Sequence, residues 1–275
     1  MRTLKLPSGQ LIPVLGMGTW RMGENALHRQ SEIDALRHGL DLGFSLIDTA
    51  EMYGEGGAEE VIAQAIANRR ESVFLVSKVY PHNASKQKAI AACERSLKRL
   101  KTDYLDVYLL HWRGSVPLAE TLEAFETLQQ SGKIRSYGVS NFDIEDMQEV
   151  SQLKGGKGIV TNQVLYNLMR RGIEWNLLPW CRQQNIPIMA YSPIEQGRLL
   201  NNKTIKAIAQ QRGVTAAQVA IAWLLHQEDI IVIPKSSRID HVEQNYAAKD
   251  LKLSAEELAA LDVAFPPPTK PVSLE

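Results

Sequence analysis

The chain has 275 residues with 31 Lys or Arg and 31 Asp or Glu, so its formal net charge is zero. That balance excludes an overall pull toward nucleic acid or an anionic membrane, and any anion site must be local. The opening segment, MRTLKLPSGQLIPVLG, lacks the long apolar stretch of a signal peptide, and no run approaches a bilayer span, so a soluble, cytoplasmic protein is expected.

TLKL and QLIPV flank a turn-like Pro-Ser-Gly and predict a small hairpin ahead of a first strand around VLGMGTW. Helical patterns follow at 28–42, 58–69, 85–100, 118–131, 143–151, 174–184, 203–212, 214–226, 239–248 and 254–263. Strands are expected between them near 45–48, 73–77, 105–110, 134–139, 159–163, 186–191 and 230–233. Cys93 shares helical spacing with Ile90, Leu97 and Leu100 and reads as a packed thiol; with Cys181 it makes neither a CxxC motif nor a disulfide framework. Prolines at 266, 267, 268 and 271 end the last helix and leave a short tail. No linker interrupts the pattern, which reads as one domain over residues 1–275.

Each β-branched run stops at a polar or ionisable side chain: Asp48, Lys78, His111, Asn141, Gln163, Tyr191–Ser192 and Lys235. Continuous apolar runs alternating with helices are what parallel strands covered on both faces look like, and such strands all end on the same side. Asp48, Lys78, His111 and Asn141 recur at intervals of about thirty residues, one unit of an eight-fold barrel of roughly 250 residues. The fold expected is α/β: a (β/α)8 TIM barrel with an N-terminal β-hairpin and extra helices, two of them between Tyr191 and Lys235.

Convergence at the C-terminal face of a barrel is where catalytic groups sit. Asp48, Lys78 and His111 end three strands, and Tyr53 follows Asp48 by five residues on a loop able to fold back over the mouth. A tyrosine hydroxyl, with a pKa of about 10, is a poor acid near neutrality, but a neighbouring ammonium favours the phenolate. Lys78 would supply that charge, Asp48 would orient the lysine, and His111 would bond the substrate oxygen. The plainer reading is a structural Lys78–Asp48 ion pair, a core imidazole and a packed tyrosine. Lys235, Ser236, Ser237 and Arg238 lie where a strand feeds a helix and could hold a phosphate, or form a solvated basic turn. There is no GxGxxG after a strand, no Walker sequence, and no HxH or HExxH among the histidines, so no metal site is expected.

Taken together, these residues resemble the aldo-keto reductase family along nearly the whole chain. GTW at 18–20, DTAEMYGEGGAEE at 48–60, SK at 77–78, HW at 111–112, GVSNF at 138–142, NQ at 162–163, YSP at 191–193 and IPKS at 233–236 carry the likeness. Within the family the chain is most similar to bacterial reductases of small aldehydes, methylglyoxal reductases among them. The resemblance implies NADPH bound in extended form, hydride transfer to an aldehyde or ketone, and the proton from Tyr53. It implies that Ser140, Asn141 and Gln163 hold the carboxamide, Tyr191 stacks on the nicotinamide, and Ser192 and its loop follow the pyrophosphate. Thr19, Trp20 and Asp48 would touch the cofactor from the opposite side of the mouth, and Lys235, Ser236, Ser237, Arg238, His241, Gln244 and Asn245 would complete its site.

His241 stands where many family members carry an arginine that grips the 2′-phosphate, so NADPH preference with some NADH use is expected, Arg238 compensating. Trp20, Tyr53, His111 and Trp112 would rim a mouth left open by short loops and a short tail. That rim suits small carbonyl substrates, methylglyoxal first and sugar-derived diketones second, with aromatic aldehydes accepted in vitro. By resemblance the protein is expected to be a monomer. Two other readings stand beside this one: a nicotinamide-redox-sensing binding protein, and a Schiff-base aldolase using Lys78.

Overall fold

The computed structural model describes residues 1–274. Thr3–Lys5 (β1) and Leu11–Pro13 (β2) pair antiparallel. The turn between them includes Gly9 at a φ of 89°, a conformation glycine adopts without steric cost. Eight parallel strands follow in chain order: Met17–Gly18 (β3), Leu46–Asp48 (β4), Phe74–Val79 (β5), Leu105–Leu110 (β6), Ile134–Ser140 (β7), Ile159–Leu165 (β8), Ile188–Tyr191 (β9) and Ile230–Val232 (β10). The first and last close the ring: Leu15 bridges Val232, Gly18 bridges Lys235, and Gly18 N donates to Pro234 O at 2.9 Å. A Cβ on Gly18 would lie 2.9 Å from Ile233 O, so this seam requires glycine.

Among the described residues, ten α-helices wrap the barrel: Arg29–Leu42 (α1), Gly57–Ala65 (α2), Lys86–Leu100 (α3), Leu118–Gln130 (α4), Ile144–Gln152 (α5), Leu177–Gln183 (α6), Lys203–Arg212 (α7), Ala216–Leu225 (α8), Ile239–Ala247 (α9) and Ala255–Ala264 (α10). The doubled helix expected before the last strand is α7 and α8. Among the described residues, no helix is long and apolar enough to cross a membrane. Cys93 and Cys181 are buried, and burial pushes both thiols up to about 12.

Strand pleating explains how the ends become a site. Leu46, Val76, Leu109, Met189 and Ile233 share the small cluster inside the barrel, floored by Leu6 and Ile12 of the hairpin segment. Side chains two residues apart face the same way. The next inward positions are therefore Asp48, Lys78, His111, Tyr191 and Lys235. Gln163 obeys a different rule, because Val160 already faces inward and an odd spacing separates them. Between Tyr137–Ile159 and Val139–Asn162 the register shifts by an extra residue on β8, which turns Gln163 to the interior.

Two expectations need correction. The helix predicted over 58–69 ends at Ala65, and the chain turns through Asn68 at a φ of 63°. The one predicted over 174–184 begins at Leu177, after a short 3-10 turn at Gly172–Glu174. That start leaves Pro179 in the first turn, where a missing N–H costs no helical bond. The short tail lays Val272 against Gly172 and lines a cleft with Pro271, Ser273 and Leu274.

Candidate active site

Lys78 is fully buried at the end of β5. Its Nζ donates to both Asp48 carboxylate oxygens and to Thr49 O, each at 2.8 Å, and lies 3.4 Å from Tyr53 Oη. Tyr53 comes back over the mouth because its loop is held along its length. Thr49 N donates to Val76 O and Glu51 N to Lys78 O. The Glu51 carboxylate accepts from Tyr80 N (2.9 Å) and Asn83 Nδ2 (3.0 Å), tying this loop to the one after β5. Gly54 and Gly56 then take φ of 56° and 94°. The Tyr53 and His111 rings meet edge to face with centroids 5.8 Å apart, and Trp112 lies 4.8 Å beyond His111.

The protonation pattern differs from expectation. Burial, then the negative Asp48, raise the Tyr53 pKa well above 10, although an ammonium lies nearby. The geometry gives the reason: an ammonium has three N–H donors, and Asp48 and Thr49 O supply three shorter acceptors. Lys78 itself lies below the usual lysine range because burial outweighs the pull of Asp48. Burial and the charge of Lys78 lower the His111 pKa to about 3, so its imidazole is neutral. Its Nδ1 is buried with no hydrogen-bond partner among the described residues. The site at neutral pH thus holds an ion pair, a protonated phenol and a neutral imidazole. With its donors engaged by a carboxylate, Lys78 is poorly set up as a Schiff-base nucleophile.

The other predicted residues gather around the same rim. Thr19 Oγ1 donates to Asp48 O (2.9 Å), and Gln163 Nε2 to Asp48 Oδ1 (2.8 Å). Ser140 Oγ donates to Gln163 O (2.8 Å), Asn141 Nδ2 to His111 O (3.1 Å), and Tyr191 Oη to Asn141 Oδ1 (2.9 Å). Asn141 and Ser192 take φ of 57° and 50°, turning the chain sharply at the ends of β7 and β9. Across the mouth, Trp20 is partly exposed under the Arg21 guanidinium, and Lys235 Nζ donates to Ser237 Oγ (2.8 Å). Ser236 Oγ accepts from Arg238 N at 3.0 Å. On α9, Asn245 is buried, Gln244 half-buried and His241 exposed. Arg238 is already paired, its Nε and Nη2 on Asp240 at 3.1 and 2.6 Å. It is a poorer stand-in for the missing arginine than its position suggests.

Two carboxylates that the strand-end pattern passes over also belong here. Glu51 anchors the Tyr53 loop as described. Glu59 is fully buried, accepts from Ser77 Oγ (2.8 Å) and Arg99 Nε (2.6 Å), and helps hold Lys78 charged. Arg99 fills the space a Gly56 side chain would need, 2.5 Å from its Cβ position, and so underlies the loop. The signal was present in sequence: Glu59 occupies an apolar position of α2, in helical spacing with Ile62 and Ile66.

The sequence model of the aldo/keto reductase family matches residues 14–264. The chain belongs to the aldo/keto reductase family. As a member it is an oxidoreductase, and its barrel is the family's fold. It is 55% identical over 269 residues to methylglyoxal reductase YeaE of Escherichia coli strain K12, covering 96% of this chain and 95% of that protein. It is 34% identical to the glyoxal reductase of Bacillus subtilis strain 168, covering 94% and 91%. A crystal structure of an aldo-keto reductase from Klebsiella pneumoniae in complex with NADPH superposes with a TM-score of 0.97 at 52% identity, covering 100% of this chain and 98% of that one.

Proposed function

We propose that this aldo/keto reductase reduces small aldehydes and ketones with NADPH, Tyr53 giving the proton to the carbonyl oxygen. The observation that carries the reading is the Tyr53 hydroxyl, held protonated 3.4 Å from the Lys78 ammonium and beside a neutral His111. Relatives that reduce methylglyoxal or glyoxal, and a neighbour that holds NADPH, support it. When bound, NADPH supplies the hydride.

The residues present fit that cofactor by the chemistry of their donor set. Ser140, Asn141 and Gln163 bring hydroxyl and amide groups together at one rim, suited to a carboxamide. Tyr191 offers an aromatic face beside them, and Thr19 and Trp20 flank the mouth. Around Ser192, Arg170 and Arg198 share one carboxylate, Glu195, and line with it a cavity of about 270 Å³ whose remaining positive charge suits a pyrophosphate. Lys235, Ser236, Ser237, Arg238 and His241, with Gln244 and Asn245 of α9, form the remaining polar stretch.

For the reaction itself, the negative charge that develops on the carbonyl oxygen is met by the Tyr53 O–H and a His111 N–H. As that oxygen becomes basic, Tyr53 Oη releases its proton to it. The phenolate left behind lies 3.4 Å from the Lys78 ammonium, whose charge offsets part of the cost of its burial even with its donors engaged by Asp48 and Thr49 O. His111, uncharged, sets the angle of the carbonyl without competing to protonate it.

Methylglyoxal and other small reactive aldehydes are the first substrates, sugar-derived diketones the second. NADPH is preferred, with NADH tolerated, because His241 offers no fixed charge and Arg238 is paired to Asp240. The test is loss of reduced-nicotinamide absorbance with methylglyoxal and either cofactor. Turnover, faster with NADPH, is expected. Binding of NADPH with no turnover of any carbonyl would favour a redox-sensing role instead.

A further inference from the structure

The cleft walled by the tail has a volume of about 860 Å³ and joins the reaction centre through two residues. Trp112 lies against His111, and Asn141 bonds the His111 carbonyl oxygen. Such a space exceeds the need of a three-carbon dicarbonyl and would hold the remainder of a larger one. Its charged lining is Arg113 against Asp143, Glu145 and Asp146.

Arg113 is not available to an incoming anion. Its guanidinium donates to Asp146 and to both oxygens of Glu149, at 2.6 and 3.0 Å, and those partners hold its pKa above the usual arginine value. The N-terminus of α5, which would otherwise attract an anion, is also occupied from within. Asp143 Oδ1 accepts from Asp146 N (2.9 Å), and Asp146 Oδ2 from Asp143 N (3.4 Å). A serine or threonine would cap the helix as well without adding charge. The rest of the wall includes Ile173, Leu177, Val272 and Leu274. Arginines instead gather at the separate cavity around Ser192, where Arg170 and Arg198 face Glu195.

We infer that this cleft selects neutral carbonyl compounds over those carrying a carboxylate or phosphate away from the reacting carbon. Like charge meets such a group as it leaves water, and the one cation among the described residues lining the cleft is already satisfied. The inference rests on the reductase reading above and narrows its substrate class.

The test compares two nearly isosteric aldehydes, 4-formylbenzamide and 4-formylbenzoate, with NADPH as reductant. In the wild type, kcat/KM for the amide should exceed that for the carboxylate by about tenfold at low salt, through KM. Added salt should narrow the gap by screening. Glu145→Lys should narrow it further, and Glu145→Gln less. The ratio is the readout, so any intrinsic difference in carbonyl reactivity cancels between variants. Equal or faster reduction of the carboxylate, or a ratio unmoved by both salt and Glu145→Lys, would overturn the inference and leave the reductase standing. No turnover of either aldehyde would overturn the reductase reading, and this inference with it.

Discussion

His111 carries no charge near neutrality, because burial and Lys78 hold its pKa to about 3. Tyr53 stays protonated for the opposite reason, its phenolate disfavoured by burial and by Asp48. Neither group then titrates between about pH 5 and 9, so single-turnover reduction is predicted to be flat over that range. A fall in rate centred near neutrality would instead support a phenol whose pKa Lys78 depresses. The sign for stability also follows. A depressed histidine pKa leaves its stabilisation present above about 6.5 and lost as pH falls toward about 3, since only the unfolded chain binds the proton in that window. Thermal unfolding of His111→Asn should therefore be less acid-sensitive than that of the wild type. At this scale the strand-end residues were legible because each ends an apolar run. The direction of the Tyr53 shift was not, since it depends on how Asp48 and Thr49 O share the Lys78 donors.

At the scale of elements, the loop from Lys235 to α9 governs the cofactor's charge recognition under the proposed function. Arg238 is exposed and neutralised by Asp240 within the same turn. Asp240→Asn keeps a comparable side chain but frees the guanidinium, and is predicted to raise the NADPH-over-NADH ratio of kcat/KM by a few fold. An unchanged ratio would place the 2′-phosphate elsewhere. Helices and strands were readable to within a few residues because periodicity and apolar runs dominate them. What escaped were local devices. The bulge that turns Gln163 inward leaves no mark in composition, and Pro179 moves the start of α6 by its missing N–H.

For the whole molecule, the barrel separates its charges: two arginines against one glutamate line the Ser192 cavity, while the cleft beside Trp112 has three carboxylates against one arginine. The tail completes that cleft, and Arg171 anchors the segment leading to it. Its guanidinium bonds both oxygens of Glu174, Asp262 Oδ1 (2.6 Å) and Phe265 O (2.7 Å). Arg171→Ala is predicted to lower kcat/KM for bulky aromatic aldehydes several-fold more than for methylglyoxal, because only the larger substrate reaches the tail. Equal losses would mean a general destabilisation. The sequence showed the prolines that end α10 but not where the tail lands, which depends on the bare surface of Gly172 and a partner distant in sequence.

The central claim, that Tyr53 is the proton donor, is tested most directly by Tyr53→Phe. Cofactor binding would be followed by fluorescence, and reduction by single turnover at saturating NADPH. A loss of about 100- to 10,000-fold in the reductive step is expected, with cofactor affinity retained. Turnover close to wild type, with NADPH bound normally, would contradict it.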